Sequence, residues 1–439
     1  MDTSYNISCE SRPAQFSNSG VTEHGQISKK DEIMKIRSIT YFCNPGWPLD
    51  GKKIQAAETF LAEAKANFET SGFEVQTRRL ATIPFPFLLG ADRIEETPHL
   101  ATELSQLLAE TGIAYGSLGP AVTAIPDSYS VLPNSSAVSK NISFSGIMAD
   151  TRHGISLPAV NACAEVIVQN SRLDPTGFAN FNFAALANVP AGAPFFPAAY
   201  HSGNEPAFAI AMEAADAAVQ AFENAETIET GRNALISALE ENAQTLVKTA
   251  DTLKFKYLVK FGGIDFSLAP FPEESRSLGA AFERMGVPKV GLHGSVAAAA
   301  ILTEAIERAR FPHAGFSGLM MPVLEDARLA ERAAEGRLTV KDLLLYSAVC
   351  GTGLDTVPLP GDVSAAQIAA LLLDLCALAL RLDKPLTARL MPVPGKQAGD
   401  LTSFDFGYFA NSRVMALKAE PLGKALGGSE TFELRKRQG

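Results

Sequence analysis

Apolar and polar residues follow two different periods along this chain, and the switching between them outlines the fold. Residues 34–42 alternate in the manner of a half-buried strand, and Asn44-Pro45-Gly46-Trp47-Pro48 ends the pattern with a turn. Residues 52–70 then place apolar side chains at helical spacing, 73–78 read as extended, and 96–111 as helix again. Further strands are predicted over 114–118, 144–148 and 181–187, with a helix over 157–170 and a Pro-rich loop over 188–200. Helices over 205–221 and 228–253 follow, then a strand at 257–261, helices at 274–284 and 295–309, and a strand at 317–322. The pattern closes with helices at 325–335, 339–349 and 364–382 and strands at 387–391 and 413–417. Strands alternating with helices of this length predict an α/β architecture around a parallel or mixed sheet. No linker divides it, so residues 34–420 are expected to form one domain. Residues 1–33, rich in Ser, Asn, Gln and Glu, are expected as a disordered extension and 421–439 as a tail.

Composition narrows the function. With 439 residues, 46% of them hydrophobic and 20% charged, the chain can bury a sizeable core. A formal charge of -10 argues against nucleic acid as a partner, because phosphate binding needs Lys and Arg gathered on one face. The one basic cluster, Arg435-Lys436-Arg437, reads as part of a solvated tail. Five widely spaced cysteines, Cys9, Cys43, Cys163, Cys350 and Cys376, without any CxxC pair, fit a reduced, cytoplasmic protein. The first 33 residues lack the apolar core of a secretory signal and the Arg-rich pattern of a transit peptide. The apolar stretch 368–382 is shorter than the ~20 residues that span a bilayer and is interrupted by Asp374, so no membrane partner is expected. Ala-rich helices in a chain of this size lead to the expectation of a homodimer.

Four constellations carry candidate chemistry. Residues 350–362 are the most informative: Cys350 ends an apolar helix, and Gly351-Thr352-Gly353-Leu354-Asp355-Thr356 follows on what reads as a tight turn between two helices. Cys350 is either a reactive thiol or an inert buried one. Asp355 sits among apolar neighbours, where a charge needs a cation, a metal or a hydrogen-bond network, and Arg389, Lys396 and Arg413 are the cations best placed to answer it. In Phe261-Gly262-Gly263-Ile264-Asp265-Phe266-Ser267 the glycine pair permits a sharp bend, with Asp265 on it and Ser267 two residues on. Asp150-Thr151-Arg152-His153 offers a carboxylate, a guanidinium and an imidazole at a helix start, or alternatively an ion pair beside an exposed histidine. Tyr200-His201 lies on a strand-to-helix turn, with Asn204 expected to cap the helix at 205. Neither P-loop nor GxGxxG occurs, nor HExxH, nor a GxSxG elbow, so common nucleotide-binding, zinc-hydrolase and serine-hydrolase readings are poor.

Several long runs agree with one known family. Residues 318–326 (GLMMPVLED), 345–362 (LYSAVCGTGLDTVPLPGD), 384–396 (KPLTARLMPVPGK) and 405–414 (DFGYFANSRV) resemble DUF711, also called UPF0210, as do 261–265 (FGGID) and 195–201 (FFPAAYH). The resemblance covers residues 34–417. It implies a ten-stranded, barrel-like α/β fold of the pyruvate formate-lyase type, two antiparallel halves with helices outside. Glycyl radical enzymes of that fold carry a C-terminal motif resembling Arg-Val-x-Gly-Tyr; here Arg413-Val414-Met415-Ala416-Leu417 puts alanine where the radical glycine belongs. No glycyl radical is therefore expected, and Cys350 would act as a thiolate or not at all.

These readings lead to the expectation of a non-radical enzyme that handles a small polar metabolite in an enclosed site, as a lyase cleaving a C–C or C–N bond. A metal-dependent hydrolase and a non-catalytic, metabolite-binding regulatory protein are the alternatives. Asp265 and Asp355 would converge as general base or metal ligands, with His153, His201 and Cys350 as further catalytic groups. Arg152, Lys396 and Arg413 would anchor a substrate carboxylate, helped by Ser267 and Asn411. Such oxygen ligands suit Mg²⁺, Mn²⁺ or Ca²⁺ better than Zn²⁺.

Overall fold

The computed structural model describes residues 34–437, so the expectations placed on residues 1–33, Cys9 among them, lie outside the described residues. The chain opens with β1 (Lys35–Cys43), α1 (Gly51–Thr70), β2 (Val75–Pro84), α2 (Phe85–Leu89), α3 (Thr97–Thr111) and β3 (Tyr115–Gly119). Next come α4 (Leu132–Val138), β4 (Ile142–Asp150), β5 (Gly154–Ser156), α5 (Leu157–Ser171), β6 (Phe183–Ala187) and β7 (Ala207–Glu213). Then follow α6 (Ala215–Glu223), α7 (Ile228–Tyr257), β8 (Lys260–Ala269), α8 (Leu278–Arg284), α9 (Ser295–Arg308) and α10 (Ala327–Ala334). The last are α11 (Val340–Cys350), β9 (Gly353–Pro360), α12 (Ala365–Leu382), β10 (Leu386–Val393) and β11 (Thr431–Phe432).

The strands form one mixed sheet in the order β8-β7-β1-β2-β3-β4-β6-β10-β9, with β5 paired to β4 and β11 to β5. Neighbours are parallel throughout this path except at two joints, β7 with β1 and β6 with β10. The α/β class thus holds, while the regular ladder does not close: β8 and β9 are its two edges. Residues 312–324 lie against both. Ala314 donates to Ile264 O (2.9 Å) and Met320 to Ser267 O (2.8 Å) on β8, and Val323 donates to Asp355 O (3.0 Å) on β9. The strand expected at 317–322 is this segment, which makes isolated bridges instead of a ladder.

Alternation along the strands sorts side chains between two very different faces. Ile36, Ile39 and Tyr41 of β1, Phe208, Ile210 and Met212 of β7, and Leu354, Val357 and Leu359 of β9 join the main core with Phe60, Leu61 and Phe68 of α1. The opposite positions, Ser38, Thr40, Thr77, Arg79, Ala209, Ala211, Glu213, Asp265, Ser267 and Arg389, are small or polar. A sheet face of that kind must be covered by hydrogen-bonding chain rather than by another apolar layer. The loop before β7 does so: Thr40 Oγ1 donates to Pro194 O (3.0 Å), Ser117 Oγ to Ala199 O (2.8 Å), and His201 N to Thr82 O (2.9 Å).

Several local expectations are corrected. The helix expected at 205–221 is strand β7 followed by α6, because alanines at alternate positions satisfy either period and pairing with β1 and β8 decides the matter. The turn expected after Cys350 is the fully buried strand β9, whose Pro358 and Pro360 are accommodated because it lies at the edge of the ladder. The glycine bend at 262–263 lies within β8. Gly263 has φ +120°, and a Cβ there would stand 2.6 Å from Pro312 O, so the glycine admits the close approach of residues 312–314. The helix expected at 274–284 is a short 3₁₀ turn followed by α8, which Ser277 caps through Ala280 N (3.0 Å). Residues 413–417 form no strand, only a bridge between Leu401 and Arg413. Helix α12 is apolar and long enough to cross a membrane by length and composition; half of it is buried, with Leu372, Leu375 and Cys376 in the core.

Candidate functional site

At one end of the small, polar face, charged side chains from five strands and two loops meet. Glu213 ends β7, Arg37 lies on β1, Arg79 on β2, Arg389 on β10 and Asp355 on β9, while Arg276 and Glu325 come from the segments before α8 and α10. Two of the guanidiniums are aimed by register irregularities, between Ile36 and Ser38 and between Ala388 and Leu390. Such bulges turn a side chain that regular alternation would send to the other face. Opposite the second irregularity, Thr356 has φ +40°, a conformation that a β-branched residue adopts only where its surroundings enforce it.

Six of these groups form an alternating chain of charge. Arg276 Nη1 lies 2.6 Å from Glu213 Oε1, and Glu213 Oε2 accepts from Gln76 (2.8 Å) and lies 3.6 Å from Arg37 Nη1. Arg37 pairs with Glu325 through Nη2 and donates from Nη1 to Pro270 O (3.2 Å). Arg389 completes it, with Nη2 2.6 Å from Glu325 Oε1 and Nε 2.5 Å from Asp355 Oδ1. Within this run each guanidinium has a carboxylate partner, and at its outer end Arg276 also meets exposed Glu273 (2.9 Å). Glu213, Glu325, Asp355 and Arg389 are all buried, a condition that charge tolerates only with this degree of pairing. Burial pushes the Asp355 carboxyl above the usual carboxylate range, and the Arg389 guanidinium opposes that shift.

Arg79 stands outside this pairing. Its Nε donates to Thr77 Oγ1 (2.9 Å), and its guanidinium carbon lies over the rings of Phe196 (5.0 Å) and Tyr115 (5.7 Å). Among the described residues no carboxylate lies within ion-pair distance of it. Burial first, and then repulsion from Arg37 and Arg389, draws its pKa down to about 9, which still leaves it charged at neutral pH. Arg37, Arg79 and Arg389 line one cavity of about 90 Å³, closed on its other sides by Phe181, Phe195, Phe196, Phe406 and Tyr408. Residues 404–409 provide the cover: Phe406 meets Phe178 and Phe181 edge-on at 5.1 and 5.3 Å.

The residues singled out from sequence fall in different places. Asp355 meets Arg389, one of the three cations proposed for it; Arg389 lines this cavity, and Asp355 stands behind it, outside the lining. Asp265 is fully buried and accepts from Ser267 Oγ (2.5 Å), Phe316 N (2.8 Å) and Ser317 N (2.9 Å), which pins residues 312–324 to β8. Burial pushes Asp265 up to about 6 against the pull of those donors. The two aspartates share no hydrogen-bond partner. His201 is buried with Nε2 unpartnered, beside a more open cavity of about 870 Å³ that Ser317 also lines, and burial draws its pKa down.

The remaining candidates stand away from the arginines. His153 is exposed and pairs with Asp150 (2.9 Å), whose carboxylate also accepts from the backbone of exposed Arg152 (2.8 Å). Cys350 is buried as the last residue of α11, 4.0 Å from Thr352 Oγ1. Arg413 is exposed and donates to Gly399 O (2.6 Å) at another cavity, of about 850 Å³. Asn411 accepts from Phe404 N (3.0 Å), and Lys396 is partly buried. Asn204 precedes a strand rather than capping a helix. Among the described residues no three His, Cys, Asp or Glu side chains are grouped as a metal site. Arg37, Arg79, Glu213, Arg276 and Glu325 were not anticipated; the available signal was an arginine within each of two strands that run on into the core, Ile36-Arg37-Ser38-Ile39 and Arg78-Arg79-Leu80.

Comparison with known proteins places these residues within a wider group. The family model described as Uncharacterised ACR (DUF711) matches residues 29–411. A UPF0210 protein of Pyrobaculum aerophilum is 38% identical over 268 residues, covering 59% of this chain and 58% of that protein. A UPF0210 protein of Pyrobaculum arsenaticum is 36% identical over 272 residues, with the same two coverages of 59% and 58%. One from Oleidesulfovibrio alaskensis is 32% identical over 314 residues, 69% of this chain and 67% of the other. The match thus spans somewhat under three fifths, 58%, of the length of the Pyrobaculum relatives.

Proposed function

This chain belongs to the DUF711 family, and from that premise we propose that it is an enzyme that takes a small anionic metabolite into the arginine-lined cavity and acts on it by polar, non-radical chemistry, as a lyase. The observation that carries the reading is Arg79, a half-buried guanidinium that lines the cavity with no carboxylate partner among the described residues, beside arginines that are already ion-paired. A partly buried charge without a partner is costly, and an incoming anion offsets that cost while gaining a charge-assisted fork. Aromatic walls that hold back water strengthen any electrostatic stabilisation of charge that develops on a bound carbonyl. Asp355, which Arg389 holds behind the cavity lining and whose pKa burial raises, is the group assigned to exchange a proton, reached through a shift of the Arg389 side chain.

The pyruvate formate-lyase type of barrel is part of this reading. Residues 312–324 support it, because their bridges at His313 to β8 and Pro322 to β9 are both parallel. Taken as an irregular tenth strand, the segment joins β7, β8, β9 and β10 in one parallel half, and β1, β2, β3, β4 and β6 make the other. The antiparallel joints would then number two, as such a barrel requires.

A second reading, a metabolite-binding regulatory protein, is favoured by one observation: Asp355 and Glu325 are both held by Arg389, so the unliganded cavity presents no free base. The deciding experiment is calorimetric titration of the full chain with small carboxylates, paired with NMR detection of turnover. Binding abolished by Arg79→Met together with product formation supports the enzyme. Equal binding without turnover supports the regulator, and no anion binding at all removes the proposal.

A further inference from the structure

Resting on the reading of this cavity as an anion site, we infer that its ligand is a monocarboxylate with a compact apolar body, and not a dicarboxylate or a phosphate ester. The charge count carries the first half. Of the three arginines that line the cavity, Arg37 and Arg389 are held by Glu213, Glu325 and Asp355, while Arg276 lies outside the lining and pairs with both Glu213 and exposed Glu273; Arg79 is left as the one lining cation without a carboxylate among the described residues, a single positive charge for the ligand to neutralise. A dianion would bring a second negative charge to a site whose other cations are already engaged.

Donor geometry leads to the same place. Both terminal nitrogens of Arg37 are engaged, Nη1 by Pro270 O and Nη2 by Glu325, and Arg389 uses Nε and Nη2 on Asp355 and Glu325. The two terminal nitrogens of Arg79 make no hydrogen bond among the described residues; only its Nε is engaged, by Thr77. Two parallel N–H groups on one guanidinium match the two oxygens of one carboxylate. A phosphate monoester brings close to two charges where Arg79 offers one.

The walls define the rest of the ligand. Phe195, Phe196, Phe406 and Tyr408 present aromatic surface to the same cavity, which offers dispersion and stacking to an apolar body; the polar side chains beside them, such as Tyr115, Ser143 and Asn182, are neutral and supply no second unpaired cation for another anionic end. Its volume of about 90 Å³ is below the roughly 150 Å³ of a cavity known to hold benzene, so the body is a short branched chain and not an aromatic ring.

Calorimetry on the full chain with isobutyrate, isovalerate, succinate, inorganic phosphate and isovaleramide tests this. Isobutyrate or isovalerate is expected to bind at least tenfold more tightly than succinate or phosphate, and isovaleramide at least tenfold more weakly than isovalerate. Arg79→Met is expected to abolish carboxylate binding while the unliganded protein melts no lower than wild type, since the variant removes an unpaired charge; Arg79→Lys retains part of the affinity. Phe406→Ala should weaken isovalerate more than succinate. Tightest binding by succinate or phosphate, lost in Arg79→Met, overturns the monocarboxylate inference and leaves the anion site standing. Isovaleramide binding as well as isovalerate overturns the inference through its charge argument. No binding by any of the anions removes both.

Discussion

Two buried aspartates, one on each edge strand, show how the same side chain can be stabilised in two ways with different consequences. Asp265 on β8 is surrounded by neutral donors, two backbone N–H groups and a hydroxyl, and the result is a fixed loop. Asp355 on β9 is balanced by a guanidinium that is itself shared with Glu325, and the result is a charged wall beside a cavity. Neutral donors tie a carboxylate to the backbone and resist exchange. A shared cation can be competed for by another anion, which makes the second arrangement the one suited to ligand chemistry.

The contrast is most severely tested by removing the shared cation. Arg389→Met leaves Asp355 and Glu325 buried without it, and denaturant unfolding should show a loss of about 3–5 kcal/mol, the usual cost of breaking a buried pair. The double variant Arg389→Met with Asp355→Leu should recover part of that loss; no recovery would mean that Arg389 acts through packing on Phe181 instead. Asp265→Ala should cost somewhat less, about 2–4 kcal/mol, by stranding the N–H groups of Phe316 and Ser317. Asp265→Asn keeps one acceptor oxygen and should cost about half as much.

Acidity separates the two regions further. The Asp265 carboxyl is raised to about 6 in the folded protein against about 3.9 unfolded, so the folded state binds the proton more tightly. Its favourable contribution is complete below about pH 4 and is lost as pH rises through 6. Melting curves from pH 4 to 7 should therefore fall more for wild type than for Asp265→Asn; parallel curves would assign the slope elsewhere. The smallest effect concerns backbone strain. Thr356→Gly removes a positive-φ threonine and should change stability by no more than about 1 kcal/mol in either direction, while loosening the aim of Asp355 enough to weaken ligand binding in the same titrations.

Much of this architecture could be read from periodicity alone, because the strands β1, β2, β3, β4, β6 and β10 alternate or run apolar beside well-patterned helices. The misread elements share one cause. Ala207-Phe208-Ala209-Ile210-Ala211-Met212 has alanine on its inner face, and alanine carries no directional signal until the loop that covers it is known. Pro358 and Pro360 marked a turn in sequence, yet an edge strand holds them without loss of a ladder bond. The site was legible in part. Asp355 required a cation and Arg389 supplies it, but Arg37 and Arg79 are charges inside strand patterns, Arg79 beside a second arginine, Arg78. Their meaning depends on bulges and on strand neighbours far apart in the chain.

Residues 312–324 fill the gap between β8 and β9 with scattered bonds and one aspartate rather than a continuous ladder. A seam fastened at so few points should open well before the sheet unravels, so deuterium should reach the amides of Phe316, Ser317 and Met320 ahead of those in β1 or β2. Whatever loosens Asp265 would then free this segment first, and water would reach the buried carboxylate there while the strands on either side were still paired.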